Sequence, residues 1–453
     1  MDLEPLHMPM MYGRVAIAAA ALSHSLFATL VVGCAVIGAV VATLAHVTGQ
    51  SRYRRLAHMI AFALVLSTAT ISFFGVSLVF ALNMFWPRFW HQIFRIMFWP
   101  FVLEACLFFG EAVFAYAWYY LWSWSSTPDW RRGVHLAFAW LAAVCAVVAM
   151  FFIDITASYM LTPHPPDSSW ANILNPTMID LDLHRWFGNL TWAGFALAAW
   201  CGTAFLFARI EEDRLYYRWA GGFCFAVGFG ALLVMPVIGY QYLLHVRYAE
   251  PQAFHTLMLG GRSWLFDLVA LFYGLIAVLG SLYILRVIAS TGKPDDTARL
   301  ILPVSVVVLV IAWLVFAMPY HLHHIPGLSQ LTDIEINPLG KMQPNKYIAI
   351  AALVFFGLLN WILFLRAFIG LGSRSTAEPV NGQDRANQRI LIVIAGCTMV
   401  VMLTMGWVRE TARAYNGYLV YGVMELSDER RTYEGCNPCP SAQSPVPLAP
   451  SAE

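Results

Sequence analysis

The chain has 453 residues, of which 60% are hydrophobic and 12% charged, and its mean hydropathy is +0.64. These values exclude an ordinary soluble domain and set the class as all-α, a polytopic transmembrane helical bundle. A net charge of +1 gives no basis for binding nucleic acid or an acidic surface partner.

Runs of about 20 apolar residues mark membrane spans. Ten are predicted, near 15–46, 57–85, 93–122, 134–154, 185–208, 219–244, 264–286, 300–318, 347–366 and 389–408. The leader before the first has no basic start and no small-residue cleavage site, so that span is expected to stay. Basic residues gather in alternate loops: Arg52, Arg54 and Arg55; Arg131 and Arg132; Arg209, Arg214 and Arg218; Lys293 and Arg299; Arg374 and Arg385. The loop from Asp154 to Leu183 has none. By the positive-inside rule the odd loops are cytoplasmic and both termini face outward. The long outer connections 155–183 and 319–346 are expected to cap that side. Residues 1–425 form one membrane domain, and the polar, Pro- and Ser-rich stretch 426–453 is an expected disordered tail.

Within the spans, ionisable residues are expensive, and each is a candidate functional group. His24 sits in Ala-Leu-Ser-His-Ser-Leu-Phe, about ten residues into the first span. A haem ligand, a proton carrier and a hydrogen-bonded packing residue all satisfy that position. Glu104 and Glu111 lie in the third span among Phe, Leu, Val and Trp. Positions seven apart fall within roughly 20° on one helix face, so both carboxylates look into one crevice about two turns apart. The alternative is a pair of protonated acids bonded to neighbouring helices. His184 opens the fifth span, with Gly188 one turn on leaving room for a flat macrocycle; an interfacial histidine is the plainer account. His321, His323 and His324 invite a metal, but no Cys, Asp or Glu stands at ligand spacing. Glu410 and Arg413, at i and i+3, share one face at the end of the last span, where an ion pair also accounts for them.

Eight cysteines are present. Cys34, Cys106, Cys145, Cys201, Cys224 and Cys397 stand singly inside spans as expected packing residues. Cys436-Asn-Pro-Cys439 has haem-c attachment spacing, but Pro440 occupies the place of the axial histidine, so a disulfide is the better expectation. No phosphate loop, nucleophile elbow, HExxH motif or transporter-like repeat occurs.

Four motifs in order resemble subunit I of the cytochrome bd quinol oxidases. Arg14 with His24, Leu-Phe and Gly33 looks like that family's first helix. His91, Pro100 and Glu104 keep its H…P…E spacing, and Asn175-Pro176 leads to His184. Gly406-Trp407…Glu410…Arg413 is similar to its GW…E..R segment. The resemblance implies that His24 and Glu410 are axial ligands of high-spin haems and His184 a ligand of a low-spin haem b. It implies haem b, with haem d as a second type, and Glu104 and Glu111 as proton carriers toward oxygen reduction. It further implies a second hydrophobic subunit, a quinol or c-type cytochrome as electron donor, and a place in the bilayer of a bacterial cytoplasmic membrane.

The departures are as specific. The two glutamates are seven apart where the family has eight, and only about 20 residues (His245 to Ser263) stand where the quinol-binding loop should be. The Arg-x-Met that completes low-spin haem ligation is missing: two residues beyond Arg262 stands Trp264, leaving Met258, His255 or His245 as substitutes. The eighth and ninth spans look like an insertion. A non-oxidase haem b subunit that passes electrons between quinone and a c-type cytochrome is therefore the alternative. A haem-free transporter or scaffold is a third class, which needs His24, His184 and Glu410 all to be structural.

Overall fold

The computed structural model describes residues 13–162, 174–259, 264–290, 296–317, 344–371 and 382–415. Those residues are helical, with no β-strand among them. The helices are α1 (Gly13–Thr48), α2 (Ser51–Phe85), α3 (Pro87–Ile96), α4 (Phe98–Tyr120), α5 (Trp130–Tyr159) and α6 (Met178–Phe207). They continue with α7 (Glu211–Ala249), α8 (Pro251–Leu259), α9 (Trp264–Ser290), α10 (Asp296–Phe316), α11 (Pro344–Leu371) and α12 (Gly382–Tyr415). Among the described residues nine helices are long and apolar enough to cross a membrane; Leu300–Phe316 of α10 is a shorter apolar helix at the place of the predicted eighth span. The chain is an integral membrane protein.

Sequence neighbours pack as antiparallel pairs, α1 with α2, α4 with α5 and α6 with α7. Helices α1, α6, α7, α9 and α12 form the centre; α2, α4 and α5 flank it on one side, and α10 and α11 on the other. Close approach at the centre depends on missing side chains. Gly33 of α1 lies against the Asn189 carbonyl and Ala193 of α6, and a Cβ on Gly194 of α6 would fall 2.6 Å from the Gly228 Cα of α7. Interhelical packing in lipid gains from such contacts because no hydrophobic drive separates helix from solvent there.

Several predicted boundaries change. The third span, expected as one run over 93–122, is two helices meeting at Met97 (φ −101°, ψ 31°). Pro100 is the cause: a continuous helix would need its N–H to bond the Ile96 carbonyl, and its ring would strike that carbonyl instead. The preceding α3 is amphipathic, with Phe89 and Ile93 buried and Arg88, His91 and Arg95 exposed, as suits a helix lying along a membrane surface. The fourth and fifth spans are also longer than predicted. Helix α5 runs on to Tyr159 and α6 starts at Met178, so Asp180 and Asp182 lie inside a helix rather than in the loop, and Asp154 and His184, expected at span ends, lie more than a turn inside theirs.

A buried polar knot joins the end of α5 to the start of α6. The Ser158 hydroxyl meets Asn175 Oδ1 and lies 2.8 Å from the Thr177 hydroxyl, which is 3.0 Å from that of Thr162. Asn175 Oδ1 also accepts the Thr177 N–H at 3.3 Å. Pro176 keeps Asn175 out of helical geometry, so α6 begins just beyond it. The knot thus fixes where the first turns of α6, with their acids and histidine, enter the bundle.

Candidate functional site

Rise along a helix gives depth. His24 lies about 16 Å from the start of α1, and His184 and Glu104 each about 9 Å from the starts of α6 and α4. These starts share one end of the bundle, so the three residues occupy the same half.

His24 is half-buried, and its Nδ1 is enclosed without a hydrogen-bond partner. The ring lies against Gly75 of α2, where a Cβ would come within 3.2 Å of Cε1, and near the Ile71 carbonyl. His184 repeats the arrangement. Its Nδ1 is also enclosed and unpartnered; the ring rests on Gly239 of α7, and Tyr242 stands 6.1 Å away between ring centroids. A buried imidazole ordinarily spends both nitrogens on partners, since an unmade bond costs about 1–3 kcal/mol. Two histidines in one half of a bundle that each leave a ring nitrogen unsatisfied have the donor set an axial haem ligand needs.

Arg185 joins the two. It pairs with Asp154, whose side chain is 0% exposed, and acts electrostatically on His24 as well as on its neighbour His184. Asp154 Oδ2 and Asp182 Oδ1 are enclosed without hydrogen-bond partners, and Arg409 of α12 also acts on Asp154. One turn before His184, the buried Asp180 carboxylate accepts from Nδ1 of His245 on α7. A carboxylate on one ring nitrogen fixes an imidazole's orientation and leaves the other nitrogen free. None of Asp154, Arg185 or Asp182 was singled out from sequence. An aspartate in Met150-Phe151-Phe152-Ile153-Asp154-Ile155 was the available signal, hidden because the span was ended at that residue.

Helix α12 closes this half. Gly406 packs against Leu22 of α1, two residues before His24, and Val408 is buried with Leu257 and Met258 of α8 and Val246 of α7. Met258 is 4% exposed and shares that cluster with Tyr242, the neighbour of His184. Glu410 and Arg413 fall on the last turns of α12, but their side chains lie outside the described residues. His321, His323, His324, Cys436 and Cys439 lie outside them too, as does the side chain of His255.

Glu111 is 2% exposed and faces α5: Cys145 lies within its electrostatic reach, and Oε1 has no hydrogen-bond partner. Glu104, two turns away, is half-buried on the same face and acts on Glu111. The shared face expected from the seven-residue spacing is consistent with Glu104 acting on Glu111. Helix α4 otherwise lies at the bundle edge, with Trp99, Phe109 and Val113 exposed. His91 belongs to the exposed face of α3, not to the helix of Glu104. Cys106 is exposed on α4, unlike the buried Cys34, Cys201, Cys224 and Cys397.

The profile of the cytochrome bd terminal oxidase subunit I family matches residues 12–258, more than half of the chain. The chain belongs to that family. The solved bd oxidase from Geobacillus thermodenitrificans has the same fold, with a TM-score of 0.50 at 14% identity over 89% of this chain and 98% of that one. A comparison with curated proteins gave no match. Within the cytochrome bd family match lie His24, Glu104, Glu111 and His184, with Met258 at its last residue; Glu410 and Arg413 lie beyond it. Cytochrome bd subunits are haem-binding oxidoreductase components, which fits two half-buried histidines, each with an enclosed, unpartnered Nδ1 and a glycine against the ring.

Proposed function

We propose that this chain is the haem-carrying subunit of a bd-type terminal oxidase, taking electrons from a quinol or a c-type cytochrome and reducing oxygen to water. The observation that carries the reading is the pair His24 and His184, each with an enclosed Nδ1 lacking a partner and a helix glycine under the ring. His24 would hold a high-spin haem and His184 a low-spin haem b, with Met258 as its second ligand and Glu410 serving another high-spin haem, of b or d type. Bound haem supplies one-electron transfer and, at an open iron position, oxygen chemistry.

The chain's own groups would do the rest. Asp154 pairs with Arg185 and would hold that positive charge within electrostatic reach of both histidines. Arg413 would act in the same sense beside Glu410. Oxygen reduction consumes protons, and lipid supplies none. Glu111 and Glu104 stand two helical turns apart on one face, so a proton taken up at the buried carboxylate can pass to the shallower one through a water or a side-chain rotation. Delivery from the arginine-rich end would make turnover electrogenic. A second hydrophobic subunit against the exposed face of α4 would shield Glu104 from lipid.

A second reading is favoured by the connection from α7 to α9, where the short helix α8 stands in place of a quinol loop. On that reading the chain is a closed electron-transfer subunit holding haem b alone, within a larger quinone and cytochrome c complex. The absorption spectrum of the purified, dithionite-reduced protein, with and without carbon monoxide, decides. A red chlorin band, or a b-type band, that shifts with the gas means an open iron and an oxidase. Gas-insensitive haem b alone would sink the oxidase reading and leave the second.

A further inference from the structure

The opposite, arginine-rich end of the bundle carries a recess that none of this chemistry uses. A cavity of about 250 Å³ opens between the last turn of α1, the first turn of α2 and the turn joining α4 to α5. Its polar lining comes from His46, Gln50, Arg54, Ser125, Ser126 and Arg132, with the buried His135 at its inner wall. No aspartate or glutamate lines it.

The two arginines differ from their neighbours. Arg55 pairs with Asp213 at 2.7 Å, Arg131 with Asp129 at 3.7 Å and Arg218 with Asp384 at 3.1 Å. Arg54 and Arg132 bond only neutral oxygens. Arg54 Nε donates to the Ser125 hydroxyl at 3.1 Å, and Arg132 Nη2 donates to the His46 carbonyl at 2.7 Å. Each bond uses one N–H at the rim of the recess and leaves further N–H groups to donate. His135 Nε2 donates to the Trp118 carbonyl at 2.9 Å, which fixes that ring at the wall.

The backbone adds the same sign. Gly49 takes φ +68°, a left-handed turn that starts α2 immediately, and Gln50, the residue capping α2, makes no side-chain bond to the helix amides. Both residues line the recess, so the start of α2 stands at its edge. Guanidinium groups beside a helix start form the arrangement that recognises phosphate. The volume holds a tetrahedral anion with its first waters.

We propose that this recess is a phosphate-binding site, taking either the headgroup of an anionic phospholipid or a free phosphate anion between Arg54 and Arg132. The site ties α1, α2 and the α4–α5 turn together at the membrane surface, and it owes nothing to haem.

Two measurements on the purified full-length protein separate the sources. In one, protein from vesicles of phosphatidylcholine with added phosphatidylglycerol is released into the gas phase and its retained lipid weighed by native mass spectrometry. In the other, inorganic phosphate is titrated in detergent against chloride of equal ionic strength while the unfolding midpoint is followed. A phosphatidylglycerol kept by the wild type and lost by the double variant Arg54→Gln, Arg132→Gln assigns the site to the lipid headgroup. A saturable rise in midpoint, its half-saturation raised at least tenfold in the same variant, assigns it to free phosphate. Should the double variant fail to fold, Ser126→Glu places a competing carboxylate in the recess and must give the same loss, with Ser126→Gln as its control. Neither lipid retention nor phosphate response in the wild type, or equal responses in wild type and variants, overturns the proposal.

Discussion

His24 and His184 carry the strongest residue-scale argument, because each leaves an enclosed ring nitrogen without a hydrogen-bond partner. If they are ligands to different haems, His24→Ala and His184→Ala should each remove a different band from the reduced spectrum and spare the other. Loss of all bands in both variants, or of none, would mean that the histidines are packing residues. For the carboxylates the prediction is separable from cofactor loading. Glu104→Gln should keep the haem content and lower oxygen turnover at least tenfold, within the usual reach of a positioned acid or base; an unchanged rate would take Glu104 off the proton path. Asp154 is a different case. It is wholly buried and bound to Arg185, which is about a quarter exposed. Asp154→Asn should therefore cost about 1.5–3 kcal/mol, because the charge-assisted bond to Arg185 is lost, and a thermal unfolding midpoint checks it. His24 and the two glutamates stood out in the sequence because an ionisable residue amid twenty apolar ones announces itself, whereas His184, flanked by Asp182 and Arg185, was raised above an interfacial histidine only by the resemblance at Asn175-Pro176. Asp154 and Arg185 did not, because a pair 31 positions apart forms only once the ends of both helices are known.

Hydrophobic runs located the helices well, and their ends poorly, for a physical reason. A run of apolar residues records where lipid lies, whereas a helix continues for as long as its backbone bonds are made and no proline intervenes. Thus α6 begins seven residues before the predicted span, where the knot of Ser158, Thr162, Asn175 and Thr177 launches it. The converse holds at Met97, where hydrophobicity runs on but Pro100 ends the helix. Close helix contacts also escaped the reading, since a glycine at a crossing looks like any other until its neighbour is known. Gly194 is the clearest, with the Gly228 backbone where its Cβ would go. Gly194→Ala should separate α6 from α7 and cost about 1–3 kcal/mol, as overpacking does. Gly133→Ala, on an exposed turn of α5 with open space around it, should leave the midpoint unchanged or slightly raised. Equal shifts in the two variants would mean that the crossing is looser than its geometry.

At the scale of the whole molecule, the two ends of the bundle differ in charge, and the proposed chemistry depends on which way they face. Arg52, Arg54, Arg55, Arg131, Arg132, Arg209, Arg214 and Arg218 stand at or near helix ends on one side. On the other, Arg185 is tied to Asp154, Lys346 stands 3.9 Å from Asp267, Arg88 and Arg95 lie on the surface helix α3, and Arg247 and Arg409 stand near the ends of α7 and α12. Short basic loops stay on the cytoplasmic side during insertion, and on that rule the histidine-bearing half is expected to face outward. Protons drawn through Glu111 to Glu104 would then cross much of the membrane, at roughly 2.3 kcal/mol per charge per 100 mV. Reversed, the same carboxylates would take protons from outside, and turnover would conserve nothing through them. Two engineered cysteines at opposite ends settle the direction: Asn83→Cys in the last turn of α2 and Gly133→Cys in the first turn of α5. A maleimide that cannot cross the bilayer should label Asn83→Cys in intact spheroplasts and Gly133→Cys only in inverted vesicles. The opposite pattern would leave the fold untouched and remove the electrogenic proton path.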